Sequence, residues 1–209
     1  MKRRRTRKSA WAKAFERSFA AITRSAMKSG TRALGQVLKP AMARRTPPPG
    51  AGTRHPGRFK AVVMHSGIPP GTAHSTLSAL GAMHGRRPTM PLAATPSTME
   101  ADWPPLLVIH GDADAVLSPH NGQAAAQVWA RAAGARASAA RSVQRGKRYP
   151  MSVTDFKRKG STVATLVAVD GLAHAWSGGA ASKPFSDGQG PDASRMAWAF
   201  AAKQFRSEA

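Results

Sequence analysis

Two carboxylates one residue apart, Asp112 and Asp114, and a histidine well downstream, His174, are the side chains in this chain best suited to moving a proton. A neutral imidazole serves as a general base when a carboxylate holds its other ring nitrogen, fixing the tautomer and stabilising the imidazolium that forms. Other chemistries find less support. The D-x-D pair lacks the further acids and closing glutamate of a calcium loop, and His65, His74 and His84 have no metal-ligand spacing or companion ligands. The chain has no cysteine, which removes thiolate metal sites and disulfides. No metal and no cofactor is expected.

The elements that must carry these groups are legible on either side of them. Leu106-Leu107-Val108-Ile109 follows two prolines and ends at His110-Gly111, the length and composition of a strand buried on both faces. Such a strand belongs in the middle of a parallel sheet, and it delivers Asp112 and Asp114 at its C-terminal end, where open α/β sheets collect functional groups. Thr162 to Val169 reads as a second buried strand, whose loop Asp170 to Gly179 carries His174 and Trp176. Ala61 to Met64 reads as a third, shorter strand, followed by His65-Ser66-Gly67. Gln123 to Ala133 predicts a helix with Val128 and Trp129 buried and Gly134 as its stop. A second helix follows Pro191-Asp192, with Asp192 placed to cap it and Met196, Trp198, Phe200 and Phe205 supplying apolar surface. Thr76 to Met83 suits a helical turn or two, Arg86 to Asp102 an irregular excursion, and Met151, Val153 and Phe156 a hairpin within the basic stretch 135–159.

Three of these stretches resemble the poly(3-hydroxybutyrate) depolymerase family of esterases, within the α/β-hydrolase fold. H-G-D-A-D-A-V (His110 to Val116) is similar to the family's acid loop, G-L-A-H-A-W-S-G-G (Gly171 to Gly179) to its histidine loop, and Phe185 to Phe200 to its C-terminal segment. Gly57 to Gly67 resembles the strand after the family's nucleophile helix. The hydrolase order along the chain is serine, acid, histidine. The resemblance therefore assigns the acid to Asp114 and the base to His174, with Asp112 left to hold its own turn by side-chain to backbone bonds. Trp176 would stack on a histidine or line an acyl pocket. It also implies a fold: a truncated α/β-hydrolase-like domain with a mostly parallel sheet flanked by helices. The G-x-S-x-G turn that carries the nucleophile does not occur in the sequence, and the Pro-rich stretch from Thr46 runs almost directly into Phe59. Ser66 lacks the upstream glycine of such a turn and reads as a structural serine at a strand end. With the nucleophile strand missing, the first strand is expected to leave an exposed hydrophobic edge.

The charge is the remaining unusual feature. A formal net charge of +22 favours polyanions, and Met1 to Arg58 holds sixteen of the 32 Lys and Arg against one acid, Glu16. Ala10 to Lys28 suits an amphipathic helix with a basic outer face. Three segments are expected: a basic arm at 1–45, a Pro/Gly-rich linker at 46–56, and a partial α/β-hydrolase domain at 57–209. Nucleic-acid binding lacks any helix-turn-helix, zinc or aromatic RNA-binding motif. No span is apolar enough to cross a membrane. Charges interrupt any signal-peptide core, so a cytoplasmic, granule-associated location is expected although relatives are often extracellular. Two functions follow: a serine esterase of (poly)hydroxyalkanoate or short-chain carboxylic esters, impaired for want of its nucleophile, or a non-catalytic basic protein binding an anionic or polymer-granule surface.

Overall fold

The computed structural model describes residues 51–72, 76–85 and 102–206. The basic arm, the first part of the expected linker, His74 and nearly all of the excursion from Arg86 lie outside them. The described end of the linker is helical, not extended: a turn of α-helix at Ala51–Arg54 (α1) leads into a 3-10 turn at Pro56–Arg58.

The central strand is β2, Leu106–Gly111, with every residue buried. It runs parallel to β1 (Val62–His65) on one side and to β6 (Ser161–Val169) on the other, in the registers Val62↔Leu106 and Leu106↔Ala164. The strand outlasts its apolar run because His110 and Gly111 still pair with Ala168 and Val169. Beyond β6 the sheet turns antiparallel. β5 (Met151–Arg158) returns on β6 through Lys159-Gly160, both at positive φ (47° and 83°), the backbone that a tight hairpin demands. β3 (Arg136–Ala137) and β4 (Arg141–Val143) pair with the far side of β5. The hairpin expected inside the basic stretch forms as the antiparallel β4–β5 pair, in the register Arg141↔Val153, and β5 makes a second hairpin with β6. β1 has no second neighbour among the described residues, and Val63 on it is 38 % exposed.

Alternation along β2 divides the core in two. Leu106 and Val108 face α3 (His120–Ala132), whose Ala125, Ala126, Val128 and Trp129 cover that side. Leu107 and Ile109 face the opposite layer with Val153, Val167, Val169 and Leu172, covered by Ala193, Met196 and Phe200 of α4 (Ala193–Arg206). Helices on both faces of a mixed, mostly parallel sheet make an α/β architecture like that of the hydrolases. The short helix α2, Thr76–Met83, forms where the sequence places it.

Local chemistry explains the helix ends. α3 begins three residues before the expected Gln123 because Pro119 is already helical (φ −53°, ψ −25°) and initiates the turn. It stops in a Schellman motif: Gly134 at φ +62° donates to Arg131, and Ala135 donates to Ala130. The Trp129 indole donates to the Pro104 carbonyl at 2.9 Å, tying α3 to the entry of β2. Of the four large apolar residues expected to pack from α4, Met196 and Phe200, four apart, turn inward beside the buried Ala193; Trp198 and Phe205 remain 58 % and 62 % exposed, so half of that expected surface faces outward. Asp192 does cap it, its Oδ1 accepting the Arg195 amide at 2.9 Å. Asp192→Ala is expected to cost about 1 kcal/mol of stability in a urea titration.

Candidate active site

Strands β2 and β6 are parallel and adjacent, so the loops leaving their C-terminal ends meet. Gly111 permits the meeting, since a Cβ there would collide with the backbone carbonyl of Leu172. Asp112 then bridges the two loops, its amide donating to Val169 O at 3.1 Å and its Oδ1 accepting the Gly171 amide at 2.7 Å. The roles expected of the two acids are therefore redistributed. Asp112 holds the neighbouring loop, and it is Asp114 that holds its own turn, Oδ1 accepting the amides of Val116 at 3.0 Å and Leu117 at 2.8 Å.

Asp114 is buried, and its second oxygen, Oδ2, lies 2.8 Å from His174 Nδ1. A carboxylate only accepts, so Nδ1 carries the proton and the neutral ring keeps its lone pair on Nε2. The His174 side chain is 29 % exposed, and Nε2 has no partner among the described residues. This gives a buried acid, an oriented imidazole and an accessible basic nitrogen. Beside the ring stands Phe185, 39 % exposed with its ring centroid 6.1 Å from that of His174, and the acid loop carries a second outward-facing apolar side chain, Val116, 44 % exposed. Phe185 is held at φ +50°, a strained backbone for an aromatic residue. Its carbonyl accepts the Trp176 amide at 2.8 Å, within a short parallel pairing of Trp176–Ser177 (β7) and Ser186–Asp187 (β8).

Two further histidines, His110 and His65, join the cluster. His110 Nε2 donates to Leu117 O at 3.0 Å and lies 3.5 Å from Asp114 Oδ2; its Nδ1 is buried without a partner. Burial lowers its pKa, so it stays neutral. His65 stacks on Trp176 at 4.7 Å, and its Nε2 accepts the Ser177 amide at 3.2 Å. Trp176 thus stacks on His65, while its indole donates to Ser194 Oγ at 3.2 Å. His110 had a local signal, an imidazole four residues before an acid. His65 had none, because its partners lie more than a hundred residues away.

Burial, then His110 and His174, opposed by Asp114, lower His65 from 6.5 to about 4. The unfolded chain therefore takes up this proton near pH 6.5 and the folded chain near 4, so stability is full above that window and declines as pH falls through it. The loss should reach the order of 3 kcal/mol, read as a falling urea midpoint between pH 7 and pH 4. His65→Gln should flatten the dependence.

Ser66 ends β1 at φ +45°, its amide donating to Ile109 O at 2.9 Å and its hydroxyl buried without a partner. It makes no hydrogen bond to His174. Among the described residues, no group of three or more His, Asp or Glu is placed to hold a metal ion, and no helix is long and apolar enough to cross a membrane.

Residues 50–149 match the family described as Esterase PHB depolymerase. The match takes in β1, β2, Asp114 and α3, and ends before β5 and the histidine loop. No curated protein matches the chain.

Proposed function

We propose that the chain belongs with the PHB depolymerase esterases, whose family model residues 50–149 match, and that Asp114 and His174 are the acid and base of a site for carboxylic esters, (poly)hydroxyalkanoates or short-chain esters among them. Turnover by this chain is impaired because its sequence contains no G-x-S-x-G serine. The observation that carries the reading is the 2.8 Å contact from Asp114 Oδ2 to His174 Nδ1, with Nε2 left open.

The chemistry follows from that contact. A hydroxyl presented to Nε2 gives up its proton to His174 as its oxygen attacks the ester carbonyl carbon, and Asp114 stabilises the imidazolium. The same proton then passes to the departing alkoxide, leaving an acyl group that water removes by the reverse sequence. His110, His65 and the paired amides of Val116 and Leu117 hold the two loops in place while charge appears on the ring.

Two measurements test this. In an NMR spectrum the Nδ1 proton of His174 should resonate at low field and vanish in His174→Ala; its absence from the native chain would refute the acid–base pairing. A fluorophosphonate probe should modify no serine. Capture of one serine, abolished by His174→Ala, would show that Ser66 or another residue completes the site and that the chain is competent. The excess of cations before Arg58 supports a second reading, attachment to an anionic or granule surface, which co-sedimentation with anionic and neutral vesicles would separate from the first.

A further inference from the structure

Next to the histidine loop, but not including His174, lies a cleft of about 180 Å³ lined by Arg145, Arg148, Pro191, Asp192, Arg195 and Met196. Three arginines and a single aspartate are among its lining residues. That carboxylate is partly committed, its Oδ1 accepting the Arg195 amide. None of the three arginine side chains is ion-paired among the described residues.

The cations are held there by the fold. Arg148 Nη1 donates to the carbonyls of Gly188 at 2.9 Å and Gly190 at 2.6 Å. The turn that carries Arg145 is closed by the Arg148 amide on Arg145 O, and Tyr149 fastens it to the opposite wall through its amide on Gln189 O at 2.9 Å. Arg195 is fixed in the first turn of α4. Like charges gathered into one concavity repel, and the arrangement becomes favourable when an anion sits between them. Guanidinium forks match the paired oxygens of carboxylate and phosphate, and an arginine already oriented by carbonyls loses little freedom on binding.

We propose that this cleft is a binding site for one small oxyanion, a carboxylate or phosphate, gripped by Arg145, Arg148 and Arg195. The free oxygen of Asp192 selects an anion that carries a hydroxyl of its own, such as hydrogen phosphate or a hydroxycarboxylate. A volume of about 180 Å³ has room for a single small anion. The far wall is shared with the histidine loop: Ser177 Oγ donates to Pro191 O at 2.6 Å, and the Trp176 indole reaches Ser194. Occupancy should therefore stiffen the loop that carries His174.

The test is calorimetric titration of the full chain at fixed ionic strength with inorganic phosphate, 3-hydroxybutyrate and butyrate. Saturable binding of phosphate or 3-hydroxybutyrate is expected, butyrate being weaker, and Arg145→Gln/Arg195→Gln should weaken it about tenfold. The charge-matched pair Arg131→Gln/Arg136→Gln, exposed and outside the cleft, should change it less than about twofold. Which ligand binds more tightly distinguishes a phosphate source from a hydroxy-acid source. Equal loss in both double variants would show diffuse attraction to a basic protein, and that outcome, or no saturable binding, would overturn the site.

Discussion

Hydrolysis of p-nitrophenyl butyrate by the purified chain should run on the order of a millionfold below that of a complete serine esterase, and His174→Ala should leave the residual rate where it is. In a serine hydrolase the histidine contributes by acting on a hydroxyl it already touches; serine and histidine act as one unit, so removing either costs about as much as removing both. Here Nε2 of His174 has no hydroxyl partner among the described residues, and the sequence offers no G-x-S-x-G turn. An imidazole that can only draw on bulk water, even with Asp114 stabilising its charged form, lacks the pre-positioned hydroxyl from which most of its rate contribution comes. A His174-dependent rate within a few orders of magnitude of an ordinary esterase would contradict this, and the labelled serine would identify what had been overlooked.

Gly111→Ala should destabilise the chain by about 3 kcal/mol or more, measured as a urea midpoint. A Cβ at this position meets the Leu172 carbonyl oxygen and comes within 2.7 Å of its carbonyl carbon. Neither side can yield easily: Gly111 is in the β2–β6 ladder opposite Val169, and Leu172 is fully buried, with its amide directed at Val169 O. The two loops would have to part, and with them Asp112 from Gly171 and Asp114 from His174. The low-field proton of His174 should then be lost from whatever remains folded. Gly171→Ala is the control, since it has open space but a φ of +72°; it should cost only about 1 kcal/mol of backbone strain. Equal effects from the two variants would mean that the close approach at Gly111 is unimportant.

What the sequence reveals divides along the range of the interactions. β2 is legible because burial on both faces leaves a continuous apolar run, although that run ends at Ile109, two residues before the ladder does. β6 is legible from its β-branched content, and only Ala164, Val167 and Val169 of it are buried. β3, β4 and much of β5 are hard to read because this part of the sheet is exposed on one side, so basic and polar residues interrupt it. The irregularity between Phe156 and Lys157 breaks the alternation again. In the site, the acid–histidine pair is readable from two loops at neighbouring strand ends. The long-range ties are not: Asp112 to Gly171 spans 59 residues and Ser177 to His65 spans 112. No local pattern encodes such contacts, and for this reason the bridging role of Asp112 is not legible in the sequence.

The outer margin of β1 has an engineering consequence. β1, β2 and β6 all run in one direction, so their C-terminal ends lie along one rim. A strand grafted parallel to Val62–His65 would present its last residue on that same rim, beside the neighbours of Asp114 and His174. Among the described residues this margin has no neighbouring strand, so a serine-bearing strand inserted there, or supplied as a separate polypeptide, is a design whose success ester hydrolysis would report directly.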